Sequence, residues 1–222
     1  MVYAGIDIGS VNTAVTILKD DHILSHLVMS SETEMLDPLQ IINLAMEKAG
    51  LAWCDIHTTV ATGRGRSNCK FAKKQSSDVV CQARGASHLF PSVRTIINIG
   101  AEISRAISLN DHGKVQAFAT NDKCAAGSGL FLESMAHLMD LNVSSLGQLA
   151  LAADSPEDVS SRCAVFAESE IISHIHRGVP KERILAGLHL LIEQITGGRL
   201  YPAFGRGLHL AHDLLGLLRG QP

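Results

Sequence analysis

Short apolar runs separated by turn residues fill the first half of the chain, and this pattern predicts strands. "VYAGIDIG" at residues 2–9 is apolar and β-rich, and the "GSVN" that overlaps its end has the composition of a tight turn. Residues 13–29, "TAVTILKDDHILSHLVM", predict a second and a third strand joined at an Asp-Asp-His turn. Further strands are predicted in "IHTTVATG" and "VRTIINIGAE", and "EISRAISLND" predicts a strand or short hairpin leading to "KVQAFAT".

Helical periodicity dominates the second half. An early helix is also predicted in "EMLDPLQIINLAMEKAG", with Asp37 as N-cap, Pro38 in the first turn and Gly50 as the stop. "SSDVVCQARGASHLF" predicts another helix, and the later helices are expected at 129–139, 144–152, 163–176 and 181–195. Strands followed by helices indicate a mixed α/β protein.

Composition sets the broad class. With 222 residues, 46% hydrophobic and 18% charged, the chain is long enough for one large domain or two small lobes. A net charge of −3 gives no basic field for nucleic acid or anionic lipid, so neither is expected as a partner. The apolar runs are too short to span a membrane, and the N-terminus lacks the basic region of a signal peptide. A cytoplasmic location is therefore expected.

Two glycine turns follow apolar strands at a spacing of 91 residues, counted from Gly9 in "GIDIGS" to Gly100 in "INIGAE". Exposed backbone N–H groups around Gly9 could hold a phosphate, while Asp7 could hold a hydrated Mg²⁺. Each turn taken alone is equally compatible with an ordinary hairpin bend. The two together favour a two-lobed nucleotide site.

Two of the five cysteines precede predicted helices. Cys124 stands before the small turn of Gly127, Ser128 and Gly129 and an amphipathic helix, whose first N–H groups would point at an anion. The field of this helix start would lower the pKa of the Cys124 thiol. Cys163 is predicted in the first turn of a later helix. Both could be small buried hydrophobic residues. Alternatively, they are half of the four thiolates that an iron–sulfur cluster needs, with a symmetric or homologous subunit supplying the rest.

The remaining cysteines, 54, 69 and 81, lie far from one another, and the chain has no CxxC pair. In a reducing compartment such thiols are buried, reactive or metal-ligating rather than disulfide-bonded. His174 and His176 have the proximity of metal ligands, but no carboxylate or thiolate partner is evident, so solvent or capping roles are expected.

Four segments carry a resemblance to a known family. "NDKCAAGSGLFLESMA", "SSRCAVFAESEIISHIHRG", "VVCQARGASHLFP" and "GIDIGS" resemble the ATPases that include benzoyl-CoA reductase subunits and 2-hydroxyacyl-CoA dehydratase activators. The resemblance runs from residue 3 to about residue 190, and "TIINIGAEISRAI" is most similar to the benzoyl-CoA reductase branch. It implies an α/β, actin/Hsp70-like (ribonuclease H-like) ATPase fold of two lobes, expected at 1–92 and 93–222.

The resemblance also implies cofactors and roles. Cys124 and Cys163 would ligate one 4Fe–4S cluster shared by a dimer, formed by two copies of this chain or by related ATPase subunits. ATP or ADP with Mg²⁺ would lie between the lobes. It would be held by a first phosphate turn (Asp7, Gly9, Ser10), a second phosphate turn (Gly100, Ala101) and the residues beside the cluster (Gly127, Ser128, Gly129). The implied function couples ATP binding and hydrolysis to low-potential electron transfer to an acyl-CoA reductase or dehydratase.

Three departures from the family pattern leave an alternative open. The family often has a lysine where Ala14 stands and an aspartate where Asn98 stands. The C-terminal region is expected to be truncated or divergent after about residue 195, with Pro202 interrupting the helix there. The alternative is a subunit that shares the cluster but does not hydrolyse ATP. A sugar or acetate kinase on the same fold is disfavoured by the two cysteine motifs.

Overall fold

A computed structural model describes residues 1–30, 37–121, 129–159 and 163–204, with 193–204 described as backbone only. The chain forms two compact units. The first comprises Met1–Val93 and Asp111–Val115, and the second comprises Arg94–Asn110 and the chain from Gln116 onward. That these units act as functional lobes with the boundary between 92 and 93 stays a prediction.

A five-stranded sheet organises the first unit. Its strands are β1 (Val2–Ile8), β2 (Asn12–Lys19), β3 (His22–Ser30), β4 (Ile56–Thr62) and β5 (Lys74–Gln75). The order is β3-β2-β1-β4-β5. The β1–β2 and β2–β3 pairs are antiparallel, whereas β1–β4 and β4–β5 are parallel. The strands predicted in this unit are confirmed. Strand β5 was not predicted, because a strand of two residues shows no periodic pattern.

Helix α1 (Pro38–Lys48) packs on one face of this sheet, and the residues that cap it define where it begins and ends. The Asp37 side chain accepts from the Leu39 N–H at 2.9 Å, and the Asp37 N–H donates to the Gln40 side chain at 2.9 Å. Gly50 follows the helix at φ +67°, a backbone conformation that glycine adopts without steric cost. The buried core joins apolar residues of α1 to those of β1 and β2 (Ile41, Ile42, Ala45, Met46; Ala4, Ile6; Val15, Ile17). The predicted helix start and stop are confirmed.

Helix α2 (Asp78–Leu89) begins at Ser77, whose hydroxyl accepts from the Val80 N–H at 3.4 Å. Two short 3₁₀ turns, Trp53–Asp55 and Arg66–Asn68, flank β4. The second of these turns follows the loop after β4.

The second unit combines a three-stranded sheet with four helices in its described part. Strands β6 (Thr95–Ile99), β7 (Ser104–Leu109) and β8 (Val115–Asn121) lie in the order β6-β7-β8. The helices are α3 (Gly129–Leu138), α4 (Leu146–Leu151), α5 (Ala164–His176) and α6 (Lys181–Phe204). Their apolar faces form one buried cluster, including Met135, Ile171, Ile184, Leu185 and Leu188.

Helix α6 differs from expectation at its C-terminal end. It runs through Gly197 and Gly198 and past Pro202 to Phe204, so the predicted interruption at Pro202 is wrong. Pro202 lies in the last turn, so its missing N–H removes one i→i−4 hydrogen bond, and only two helical residues follow it. Residues 205–222 lie outside the described part of the chain, and divergence after about residue 195 stays a prediction.

Candidate functional site

The two glycine turns close in the same way. In the β1–β2 hairpin the Gly9 N–H donates to the Asn12 carbonyl at 2.9 Å. In the β6–β7 hairpin the Gly100 N–H donates to the Ile103 carbonyl at 3.0 Å. The strand registers match at the same offset, because Asp7 pairs with Ala14 and, 91 residues later (98 minus 7), Asn98 pairs with Arg105. The spacing noticed in the sequence therefore reflects two hairpins of the same register.

Both turns require glycine for a steric reason. A Cβ atom at Gly9 would lie 2.7 Å from the Asn12 carbonyl oxygen, and one at Gly100 would lie 2.9 Å from the Ile103 carbonyl oxygen. Real Cβ atoms essentially never approach an oxygen so closely. The tight closure of each turn thus accounts for the glycine, and it positions Ser10 and Ala101 immediately after it.

A loop after β4 fixes the end of β1. The Gly65 N–H donates to the Ile8 carbonyl at 2.8 Å. Gly63 has φ +84°, and a Cβ there would collide with the Asp7 carboxylate oxygen Oδ1 and the Ile8 carbonyl. Arg66 is half-buried and donates to the Gly63 carbonyl at 2.9 Å. The carboxylate of Asp7 is therefore held against backbone that is distant in sequence.

Thr62 adds a polar group that the sequence did not single out. It is the residue paired with Asp7 across the parallel β1–β4 ladder, and it is 8% exposed. Its hydroxyl is buried and has no hydrogen-bond partner among the residues that the structure describes. A buried hydroxyl without a partner is costly, and a ligand or ordered water beside Asp7 would satisfy it.

Helix α3 begins against the second glycine turn, to which it is hydrogen-bonded. The Gly129 N–H donates to the Gly100 carbonyl at 2.8 Å, and the Leu130 N–H donates to the Ala101 carbonyl at 3.0 Å. The expectation that these helix-start N–H groups point at an anion is therefore wrong for Gly129 and Leu130. The first N–H groups of a helix lack partners within it, and here the turn carbonyls satisfy two of them. Gly127 and Ser128 lie outside the described residues.

Asp7 and Asn98 are the most informative equivalent pair. Each lies two residues before the glycine of its turn and is paired with a residue of the other strand of its hairpin. A Cβ at Gly100 would lie 3.7 Å from the Asn98 side-chain oxygen, so Asn98 is on the turn side of its hairpin. The first hairpin thus has an acid at this position and the second has an amide.

Cys163 is the N-cap of α5. It was predicted to lie in the first turn, which begins one residue later. Its carbonyl accepts from the Ala167 N–H at 2.9 Å, whereas its side chain makes no capping hydrogen bond. The thiol is partly exposed. Cys124, the other predicted ligand, lies outside the described residues.

The other thiols have different surroundings. Cys69 is buried, and burial raises the pKa of its thiol, an effect that a hydrogen bond with the Ala72 backbone opposes. Cys54 is exposed and Cys81 is intermediate. Within the described ranges, no group of three or more His, Cys, Asp or Glu side chains is arranged to hold a metal ion.

Asn121 marks the approach to the Cys124 segment. It ends β8, it is 1% exposed, and neither its side-chain oxygen nor its nitrogen has a hydrogen-bond partner among the described residues. The segment 122–128 that follows holds Cys124. Burial of a side-chain amide without a hydrogen-bond partner is unfavourable.

The far end of α5 is held by a buried histidine. His174 is 6% exposed, so the expected solvent or capping role is wrong. Its Nε2 lies 3.0 Å from the Asp158 carbonyl, and Arg177 donates to its Nδ1 at 2.5 Å. The same Nδ1 lies 3.4 Å from a carboxylate oxygen of Glu157, so polar groups surround both ring nitrogens. The helix period explains the burial, because Ala167, Ile171 and His174 share one face.

Comparisons with known proteins agree on one family. The sequence model of the BadF/BadG/BcrA/BcrD ATPase family matches residues 4–196. The activator of lactoyl-CoA dehydratase from Anaerotignum propionicum is 41% identical over 202 residues, which are 90% of this chain and 78% of that protein. A benzoyl-CoA reductase subunit from Thauera aromatica is 35% identical over 195 residues, which are 85% of this chain and 69% of that protein.

Solved structures show the fold. The activator of the 2-hydroxyisocaproyl-CoA dehydratase from Clostridium difficile, with bound ADPNP, superposes with a TM-score of 0.83 at 39% identity, covering 89% of this chain and 74% of that one. Component A of the (R)-2-hydroxyglutaryl-CoA dehydratase from Acidaminococcus fermentans gives a TM-score of 0.88 at 32% identity, covering 100% and 90%. The predicted α/β, actin/Hsp70-like ATPase fold is confirmed. None of the described helices is long and apolar enough to cross a membrane.

Proposed function

Because the chain belongs to the BadF/BadG/BcrA/BcrD ATPase family, we propose that it is an ATP-driven activator of an acyl-CoA dehydratase or reductase. In this role it binds and hydrolyses ATP and passes a low-potential electron to that partner enzyme. The observation that carries the proposal is the pair of glycine turns with the same closure and register, because an ATPase of this family has to hold phosphate groups. The matched relatives include activators of acyl-CoA dehydratases and a component of benzoyl-CoA reductase.

The first turn suits a hydrated magnesium ion. The Asp7 carboxylate is fixed by the Gly63 loop, and the buried Thr62 hydroxyl beside it lacks a partner among the described residues. Mg²⁺ in nucleotide sites commonly keeps several waters and binds through one or two carboxylates and the phosphates. We therefore assign Asp7 to the magnesium ion through its waters, and Thr62 to one of those waters.

The turn residues are assigned to the phosphates of ATP or ADP. Since the Gly9 and Gly100 N–H groups close their own turns, the donors we assign are those that follow, at Ser10 and Ala101. The Ser10 hydroxyl supplies one more donor. Gly127, Ser128 and Gly129 are proposed to border the nucleotide, and the bonds from α3 to the second turn keep Gly129 beside Gly100.

The cysteines are proposed to hold a 4Fe–4S cluster. The described residues fit the group in part: the Cys163 thiol is partly exposed, lies at a helix N-terminus and is not used for capping. Cys124 would be the second ligand, and four thiolates then require two chains, either a homodimer or a pair of related subunits. When bound, the cluster supplies a one-electron carrier of low potential. At the other end of helix α5, His174 contacts the Asp158 carbonyl and Arg177.

The cluster proposal is tested by anaerobic purification followed by iron analysis and a visible spectrum. Wild type is expected to hold about four irons per two chains, and Cys124→Ser and Cys163→Ser are each expected to lose most of the iron. Cys54→Ser is the matched control, because this thiol is exposed and belongs to the first unit. If wild type and both serine variants contain the same small amount of iron, the cluster does not exist.

A specific observation favours a second candidate function, a subunit that shares the cluster but does not hydrolyse ATP. Asn98 replaces an acid at the position equivalent to Asp7, and an amide cannot act as an anionic ligand or base. Turnover of ATP by the cluster-loaded protein separates the two functions. Hydrolysis by wild type supports the activator. If wild type binds ATP without turnover and Asn98→Asp gains it, the protein is the non-hydrolysing subunit.

A further inference from the structure

The side chain of Arg66 lies between two neighbouring segments of the first unit. Its Nη1 donates to the Gly63 carbonyl at 2.9 Å, and the same nitrogen lies 3.7 Å from the carboxylate oxygen Oδ1 of Asp78. Asp78 is the first residue of α2. The guanidinium of Arg66 thus connects the loop after β4 to the first turn of this helix.

The backbone of Arg66 is fixed as well, so its side chain starts from a defined place. The Arg66 carbonyl accepts from the Cys69 N–H at 3.1 Å and from the Gln75 side chain at 3.2 Å. Gln75 belongs to strand β5, which pairs with β4 in parallel. Arg66 is therefore bonded to a strand and a loop and contacts a helix, all of the same unit.

Gly63 is a residue whose conformation needs a restraint. Its φ of +84° lies in the left-handed region, and glycine has more backbone freedom than any other residue. The Gly63 carbonyl accepts two hydrogen bonds from Arg66, one from the side chain at 2.9 Å and one from the backbone N–H at 3.4 Å. Arg66 therefore limits how far the Gly63 peptide can rotate.

The position of Gly63 matters because this residue rests against Asp7. A Cβ atom at Gly63 would collide with the Asp7 carboxylate oxygen Oδ1 and with the Ile8 carbonyl. Gly63 is also buried, so the space around it is filled. A rotation of the Gly63 peptide would consequently change the surface against which the Asp7 carboxylate lies.

We infer that Arg66 positions the Asp7 carboxylate by restraining Gly63. This inference rests on the proposed function, in which Asp7 binds a hydrated magnesium ion. Mg²⁺ demands near-ideal octahedral geometry, so a displaced carboxylate holds its waters less well. Arg66 acts through Gly63 and is a positioning residue. Because Asp78 contacts the same nitrogen of Arg66, the first turn of α2 takes part in the positioning.

The test measures how ATP affinity depends on the Mg²⁺ concentration, by calorimetry on the purified full chain. Arg66→Met keeps an apolar stem and removes the contacts of the guanidinium. It is expected to raise the Mg²⁺ concentration needed for half of the gain in ATP affinity by about 10-fold, the lower end of the effect of losing a group that orients a metal ligand. The affinity for ATP without metal should stay as in wild type.

Two further variants complete the design. Arg66→Lys keeps a cationic donor and should restore most of the wild-type magnesium dependence. Arg84→Met is the matched control, because Arg84 is exposed on helix α2 of the same unit, and it should behave as wild type. A role of Arg66 in stability alone would change urea unfolding without changing the magnesium dependence.

The outcomes separate this inference from the proposed function. If wild type binds no ATP, or binds it equally well with and without Mg²⁺, the proposed magnesium site fails and the inference fails with it. If wild type depends on Mg²⁺ and Arg66→Met has the same dependence, the inference alone is wrong. An equal loss of ATP affinity with and without Mg²⁺ would also overturn it, because that result indicates general damage.

A second variant decides if Arg66→Met does not fold. Asp78→Asn removes the negative charge beside the Arg66 guanidinium and leaves the guanidinium in place. It is expected to raise the Mg²⁺ requirement in the same direction as Arg66→Met. An unchanged requirement in Asp78→Asn would then count against the inference.

Discussion

Replacing Gly63 by alanine tests whether the loop after β4 holds Asp7 in place. Gly63 has φ +84°, and its missing side chain leaves room for the Asp7 carboxylate and the Ile8 carbonyl. The Gly63→Ala Cβ would collide with both groups. Gly50 is the matched control, because it also has a positive φ, +67°, but a Cβ there would have nothing within 4 Å.

Both variants place a Cβ on a residue with positive φ, but only Gly63→Ala adds a steric collision. A left-handed backbone conformation costs a residue with a Cβ about 1–2 kcal/mol. Loss of glycine freedom in the unfolded chain returns about 0.4–1 kcal/mol of stability. Gly50→Ala should therefore lose at most about 1.6 kcal/mol. Gly63→Ala suffers the collision in addition, and overfilling a packed site typically costs about 1–3 kcal/mol.

Urea unfolding followed by far-UV circular dichroism measures the difference in the free energy of unfolding. We expect Gly63→Ala to be less stable than Gly50→Ala by about 1–3 kcal/mol. ATP affinity measured in the presence of Mg²⁺ should fall in Gly63→Ala alone, because the displaced carboxylate is Asp7. Equal stability and equal ATP affinity of the two variants would refute the contact between the loop and Asp7.

Three other expectations concern the core, the thiols and a helix cap. Ile171→Ala should lower the free energy of unfolding by about 2–5 kcal/mol in urea titrations, because this side chain is fully buried. Burial raises the pKa of Cys69, so it holds less thiolate at a given pH, and alkylation followed by mass spectrometry should label the exposed Cys54 before Cys69. Loss of the α1 cap in Asp37→Ala should cost about 0.5–2 kcal/mol by thermal or urea unfolding, whereas Glu47→Ala, exposed on the same helix, should change stability by less than about 0.5 kcal/mol.

Local rules were enough to predict most elements of the fold. The β1–β2–β3 meander follows from alternation and turn residues, and the limits of α1 follow from Asp37 and Gly50. The repeat of 91 residues between Gly9 and Gly100 was visible in the sequence, and the register of the two hairpins gave it a structural meaning.

Contacts between distant segments could not be predicted. The packing of Gly63 on Asp7 joins segments 56 residues apart (63 minus 7), and no local pattern encodes it. The helix start at Gly129 was expected to face an anion, but its N–H bonds the Gly100 carbonyl, which depends on how α3 meets β6. His174 looked like a surface residue, and only the packing of α5 shows that it is buried.

The central claim is that this protein uses ATP to deliver an electron to an acyl-CoA dehydratase or reductase. The most direct measurement mixes the reduced, cluster-loaded protein with an acyl-CoA dehydratase component anaerobically and follows reduction of that component spectroscopically. The account predicts reduction with ATP, little reduction with ADPNP, and none with Cys163→Ser. Equal reduction with and without ATP, or by the Cys163→Ser variant, would contradict it.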